Sequence, residues 1–357
     1  MSVSVLTLRR WHRRLAVVLG VFLMFQVLTG VVAQQRFWLM QATEPVVYRA
    51  DGLAVVGAED PSAVLAGLAE AKPDFVVAHM MYPPPDSPRT GIIVMGGRDS
   101  SQRGMSRSVT VDPGTSTVMA ERSSQAGWVG TATILHQWLL FGTPGRIFLT
   151  LLGTMATLVS VLGILLWFRT RQVAGRARGV LRLHRSAGLV AGAFFILMSV
   201  TGVAMNLFVW SEKAGGRSIF ANNMAQAHAG PMATVNVDAT TALASARAAV
   251  SAQLSEPYLI AFGPPGHHGR HYWFAFRDRL LRRTDALVDP TDGHVVGVYP
   301  SGVTSGGTGL RQWLFPVHSG FLLGGWWGGL LFTVLGGATG LWILTGFALW
   351  VQRRRAG

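Results

Sequence analysis

Four apolar windows frame the chain: Leu15 to Ala33, Ile147 to Phe168, Ala187 to Trp210 and Gly328 to Val351. Each is long enough to cross about 30 Å of hydrocarbon as a helix. Long polar stretches follow the first and third windows. In the first stretch, Asp60 to Ala71 predicts a helix with Pro61 in its first turn. Val76-Val77, Ile92 to Val94 and Ser108 to Val111 predict strands, and Asp112-Pro113-Gly114 predicts a turn before Val118. The second stretch repeats this order. Asp238 to Leu254 predicts a helix capped by Asp238, Leu259 to Phe262 and Tyr272 to Phe276 predict strands, and Val288-Asp289-Pro290 precedes Val295-Val296. The expected architecture is a membrane protein of four transmembrane α-helices with two α+β extracytoplasmic domains.

The pattern is also internally duplicated. Laid without gaps on the segment from Val180 to Ala204, the segment from Leu8 to Val32 places His12 on His184, Arg13 on Arg185, Gly20 on Gly192, Phe22 on Phe194 and Thr29-Gly30 on Thr201-Gly202. His136 matches His318. After a one-residue slip, Gly163 matches Gly346 and Trp167 matches Trp350. The expectation is a tandem parallel repeat whose symmetry axis runs along the membrane normal, so that equivalent residues face one another at equal depth. The boundaries are a first transmembrane helix at 1–38, an outer domain at 39–128, and an interfacial segment with the second helix at 129–170. A basic cytoplasmic loop at 171–183 leads to the third helix at 184–210. A second outer domain at 211–309 and the fourth helix with its basic tail at 310–357 complete the chain. SGVTSGGTG, from Ser301 to Gly309, reads as a flexible return to the membrane.

Composition agrees with the apolar pattern: 50% of the 357 residues are hydrophobic and 13% are charged. The formal net charge of +14 raises nucleic-acid binding, which the arginine positions argue against. Arg9, Arg10, Arg13 and Arg14, then Arg169, Arg171, Arg176, Arg178, Arg182 and Arg185, then Arg353 to Arg355 all fall on one side of a four-span chain. The positive-inside rule makes that side cytoplasmic, with both termini inside and both large loops outside. A cleavable leader is the competing reading of the first window; its ungapped match to an internal segment favours a retained helix. Cysteine is absent, which excludes disulfides, iron-sulfur clusters, thiol catalysis and haem attached through Cys-x-x-Cys-His.

Histidine is then the best metal ligand available. Under the repeat, His12 and His184 meet near the cytoplasmic face, and His136 and His318 near the outer face. Two opposed imidazoles suit a six-coordinate haem iron, so two pairs imply two haems. Gly30 and Gly202 each lie eighteen residues after a histidine, five helical turns and about 27 Å along, which places them near the outer pair, where they could admit a macrocycle edge. Arg9, Arg13 and Arg185 are candidates to pair with haem propionates. Weaker candidates are His267, His268 and His271 in GPPGHHGRHYW, His79 in HMMY, and His228 and His294. No nucleotide-binding glycine loop and no nucleophile elbow is present.

With His12 and His184 opening helices that end in Thr-Gly, His136 in ILHQW, His318 in FPVHSG, and the loops VDPGTSTV and VDPTDGHVV, the chain resembles the PepSY-associated transmembrane proteins over essentially its whole length. These include inner-membrane dihaem ferric-siderophore reductases of bacteria. The resemblance implies PepSY-like outer domains, two haems b, and reduction of a ferric siderophore or other iron(III) chelate on the periplasmic side with release of iron(II). Some relatives carry a C-terminal flavin and nicotinamide module. With the sequence ending at Gly357, a separate donor is expected, a quinol or a cytoplasmic flavin reductase. FGTPGR, from Phe141 to Arg146, departs from a simple span and sets His136 on a short interfacial helix. Two rival readings are a cytochrome b subunit serving quinone or a partner oxidoreductase, and a non-redox PepSY module that binds or regulates.

Overall fold

The computed structural model describes residues 4–55, 58–83, 85, 89–97, 107–123, 127–170, 179–215, 231–266, 269–278, 283–300, 308–323 and 325–355. His228, His267 and His268, the arginines at 171, 176 and 178, and positions 301–307 of the glycine-rich return lie outside them. The chain divides into two compact units. One comprises Met1–Gln35, Thr131–Trp210 and Leu314–Gly357; the other comprises Arg36–Gly130 and Ser211–Trp313.

Four helices of the first unit are long and apolar enough to cross a membrane: α1 (Val5–Gln34), α6 (Gly142–Thr170), α7 (Gly179–Gly215) and α10 (Gly325–Arg355). Their outward side chains suit lipid and not water: Val18, Val21, Leu151 and Leu341 are 61 to 69% exposed. Leu23, Leu152, Ala156, Phe195 and Trp342 pack inward. Buried hydroxyls on these helices fold back on their own backbone, Thr29 to Phe25 O, Thr150 to Arg146 O, Thr201 to Leu197 O and Thr339 to Leu335 O, at 2.7 to 2.9 Å. A hydroxyl inside an apolar bundle without such an acceptor would be costly. Two shorter helices, α5 (Trp128–Trp138) and α9 (Thr308–Ser319), carry His136 and His318. Gly145 at the start of α6 passes so close to α5 that a Cβ there would stand 1.8 Å from Trp138 O; Gly328 stands in the same relation to Gly320 O, at 2.0 Å.

The second unit departs from the expected pair of domains: its strands form a single eight-stranded antiparallel sheet. α2 (Arg36–Thr43) and α3 (Pro45–Tyr48) lead to α4 (Pro61–Ala71) and the meander β1 (Val76–Met81), β2 (Ile92–Gly97), β3 (Arg107–Val111) and β4 (Val118–Ser123). α8 (Ala239–Ser251) leads to β5 (Tyr258–Gly263), β6 (Tyr272–Arg277), β7 (Arg283–Val288) and β8 (Val295–Pro300). The order is β4-β3-β2-β1-β5-β6-β7-β8, with Met80 opposite Phe262 and Met81 opposite Ala261 at the seam. Pairing β1 with β5 removes two open edges that separate domains would expose. The helices are joined at their N-termini as well: Ser62 Oγ donates to Asp238 Oδ1 at 3.1 Å, and Thr240 Oγ1 donates to Asp60 Oδ1. Val64, Leu68, Leu243, Ala246 and Val250 pack with Val94, Val109, Leu259 and Phe274 in one core. Strand β7 is absent from the sequence reading because Arg283 and Asp285 interrupt its apolar run. Buried Asp285 is paired with Arg283 at 2.8 Å and with Trp273 Nε1 at 3.1 Å.

The two Val-Asp-Pro turns keep their aspartates charged. Burial alone would raise the Asp112 pKa, but backbone N–H donors from Gly52, Gly114, Thr115 and Asp51, at 2.8 to 3.1 Å, outweigh it and hold the carboxyl below its usual value. Asp289 is likewise held down against burial, by the Thr291 N–H at 2.8 Å.

Charge is partitioned between the units. All 17 Asp and Glu residues lie in the sheet unit, which is therefore neutral overall, and the whole net charge of +14 sits on the helical unit as arginine.

Candidate functional site: two histidine pairs

All four predicted histidines lie in the helical unit, and in each the engaged ring nitrogen is Nδ1. The His12 Nδ1–H donates to Val159 O at 3.0 Å. The His184 Nδ1 lies 2.8 Å from Thr345 Oγ1, whose own proton goes to Trp342 O at 2.6 Å, so the imidazole is the donor. The same logic applies to His318, 2.8 Å from Thr201 Oγ1, which donates to Leu197 O. The His136 Nδ1–H donates to the Gln26 main-chain carbonyl at 3.1 Å, and the Gln26 side-chain amide donates to His136 O at 2.7 Å. Among the described residues no hydrogen bond engages Nε2 of any of the four. A neutral imidazole anchored through Nδ1–H presents Nε2 as a lone pair, the arrangement in which protein histidines bind metals.

Each ring also rests on a glycine. A Cβ at Gly30 would stand 2.8 Å from His136 Cε1, and one at Gly163 2.9 Å from His12 Cε1. The corresponding distances are 3.4 Å for Gly202 against His318 and for Gly346 against His184. At Gly30 and Gly202, expected to admit a macrocycle edge, the neighbouring atoms are those of the His136 and His318 imidazoles. Gly163 and Gly346 were visible in the sequence as a matched pair without an assigned role.

The outer pair lies close together, with His136 and His318 ring centroids 6.1 Å apart and planes tilted by 36°. Two metal–imidazole bonds of about 2.0–2.1 Å each, with half a ring at either end, span about 6 Å. The centroid separation alone matches the length that one metal held between two imidazoles needs. Residues 9–353 match the family described as the PepSY-associated TM region. The chain belongs to this family. No curated protein matches it.

The inner pair of this PepSY-associated protein lines a cavity of about 270 Å³ whose walls are mostly apolar. His12, His184, Gly163 and Gly346 face it with Val17, Leu23, Phe195 and Trp342. Arg9, Arg13 and Arg185 line it as well, joined by Arg353, which the sequence reading did not single out. Arg185 is partly committed elsewhere: its Nη2 donates to both the carbonyl and the hydroxyl of Thr170, each at 2.8 Å, and so caps the end of α6. That leaves Arg9, Arg13 and Arg353 as the freer cations for an anionic edge. A mostly apolar cavity lined by two histidines and several arginines has the lining chemistry for a flat, hydrophobic, dianionic macrocycle.

The remaining histidines stand apart. His79 on β1 pairs in register with Met95. His271 is buried, with Nε2 3.7 Å from Asp289, and His294 binds Asp292 at 2.6 Å. Among the described residues no three His, Asp or Glu side chains converge on a common point that could hold a bare metal ion.

Proposed function

We propose that this chain is an inner-membrane b-type dihaem reductase that delivers electrons to a ferric siderophore or other iron(III) chelate on the periplasmic side, releasing iron(II). His12 and His184 would hold one haem b, and His136 and His318 the other. Bound there, haem supplies reversible one-electron chemistry. The protein's part is ligation, orientation and insulation. Nδ1 anchoring fixes each ring plane and raises the basicity of Nε2. The apolar walls around the inner pair keep water away. Arg9 and Arg13, with Arg353, neutralise propionates at the mouth.

Topology follows from charge. The arginine-rich helix ends lie in the cytoplasm, and the charge-neutral sheet unit lies in the periplasm. The same order of helices, strands and histidines in each half supports a tandem duplication, with the sheet seam between β1 and β5 joining its two products. Electrons enter at the arginine-rich end from a separate donor, a quinol or a cytoplasmic flavin reductase. Reduction weakens the hold of the chelate, which makes it a release step.

The observation that carries this reading is that four imidazoles, two by two, are tied through Nδ1 and keep Nε2 unengaged. The test is a pyridine-haemochrome count on purified protein, expected at two haems per chain, followed by addition of ferric siderophores to the dithionite-reduced form. Reoxidation of the haem bands is the expected outcome. Unchanged bands would favour a cytochrome b subunit serving quinone or a partner oxidoreductase. A colourless preparation from haem-sufficient cells would leave a non-redox binding or regulatory module.

A further inference from the structure

The two inner histidines occupy matched positions but are not held alike. Among the described residues His12 has one hydrogen-bond partner, the main-chain Val159 O. His184 sits in a closed ring of contacts with two side chains of α10. Its imidazole is stacked on Trp342, centroids 5.6 Å apart and planes 18° from parallel. The Trp342 indole N–H donates back to His184 O at 3.2 Å. The Trp342 carbonyl accepts from Thr345, and Thr345 accepts from His184 Nδ1. Each link fixes a different freedom of the ring: the stack sets its plane, and the Thr345 bond sets its rotation within that plane.

The two halves also differ in the residues around this ring. The position aligned with Trp342 is Val159, and the one aligned with Thr345 is Leu162. Gly188, against which a Cβ would meet the Trp342 indole nitrogen at 3.0 Å, aligns with Ala16. The second half has thus made space for a large aromatic side chain and placed a hydroxyl beside it. Trp342 is 8% exposed and faces the inner cavity.

We propose that Trp342, with Thr345, is a positioning residue that locks the ring plane of His184 and makes it the fixed ligand of the inner pair, while His12 is the adaptable one. This rests on the haem reading above. The relative orientation of two axial imidazole planes sets the g-anisotropy of a low-spin ferric haem, so the lock has a spectroscopic signature that overall stability does not reproduce.

The test is electron paramagnetic resonance on the haem-loaded full chain, wild type beside Trp342→Phe, Trp342→Leu and Thr345→Val. The inner signal is assigned as the one surviving in His318→Ala, and the outer signal serves as the folding control. Trp342→Leu is expected to broaden or shift the inner signal, leave the outer one in place, and speed inner-haem transfer to apomyoglobin by about ten- to a hundredfold, the range for outer-shell partners. Trp342→Phe, which keeps a stacked ring, is expected to restore a single sharp inner line. Thr345→Val changes no aromatic packing and is expected to shift the inner line as well. Trp342→Leu and Thr345→Val that both match wild type at the inner site would overturn the proposal. So would loss of both signals together in Trp342→Leu with Thr345→Val unchanged. A wild-type chain without haem would instead remove the functional reading on which the proposal stands.

Discussion

The His136 imidazole lies directly over Gly30, where a methyl group would stand 2.8 Å from Cε1. Gly202 holds the matched place under His318 at 3.4 Å, and Gly163 and Gly346 repeat the pair of distances, 2.9 and 3.4 Å, under His12 and His184. The four glycines thus form a graded series. Contacts below 3.0 Å force a ring to move, whereas 3.4 Å is ordinary van der Waals contact. Gly30→Ala and Gly163→Ala are expected to displace their rings, to cost about 1–3 kcal/mol as overpacking does, and to lower haem content at the outer and inner sites respectively. Gly202→Ala and Gly346→Ala are expected to be mild. Haem per chain and thermal unfolding of the four purified variants check the order; equal losses in all four would refute it.

The two histidine pairs draw on separate helices, which makes their loss separable. His136 and His318 sit on α5 and α9, and His12 and His184 on α1 and α7. His318→Ala or His136→Ala is expected to remove one of two haems, abolish reoxidation by ferric siderophore, and leave the inner absorbance in place. His184→Ala should remove the other. Two haems with wild-type spectra in either outer variant would contradict the assignment.

Much of the helix and strand pattern was legible in the sequence, and the gaps have physical causes. A membrane helix tolerates few polar groups, so His12 and His184 stood out against apolar runs. Val159 left no trace because its contribution is a main-chain carbonyl, which every residue possesses. Thr345 and Trp342 were hidden because they lack counterparts in the first half, and a search by repetition passes over what is unique. The junction of the two sheet halves was missed because pairing between β1 and β5 is a backbone event. β7 was missed because Asp285 reads as solvent-facing until its partners Arg283 and Trp273 are known.

Asp112 ties the turn after β3 to the segment ahead of α4 through four backbone donors. Asp112→Ala leaves those N–H groups without their acceptor, at a cost on the order of 1–3 kcal/mol. The charge also links the sheet unit to pH. The Asp112 carboxyl titrates below its usual value in the folded chain, and Asp238, bonded to Thr241 and Ser62, is lowered to about 2. A depressed folded-state pKa stabilises at pH above the unfolded value and ceases to do so as pH falls through the folded one. Sheet-unit stability is therefore expected to be flat above about pH 5 and to decline below about pH 4. Thermal melts of the full chain in detergent across that range, wild type against Asp112→Ala, check both points; a variant with an unchanged acid profile and midpoint would count against them.

Thr201 and Thr29 occupy matched positions yet serve their histidines unequally. Thr201 Oγ1 accepts from His318 at 2.8 Å, while Thr29 Oγ1 lies 3.5 Å from His136 Nδ1, which has Gln26 O at 3.1 Å. Thr201→Val preserves shape and deletes the acceptor that lies 2.8 Å from His318 Nδ1. The imidazole then loses basicity at Nε2, a change that disfavours the more positive, oxidised state of a bound metal. Thr201→Val is expected to raise the midpoint potential of the outer site and to weaken haem retention there about ten- to a hundredfold. Thr201→Ser restores the acceptor and should return both values toward wild type. Thr29→Val leaves the Gln26 carbonyl in place and is expected to change little. Redox titration of the purified variants separates the cases, and a Thr29→Val shift equal to that of Thr201→Val would mean that the hydroxyls act through packing and not through the hydrogen bond.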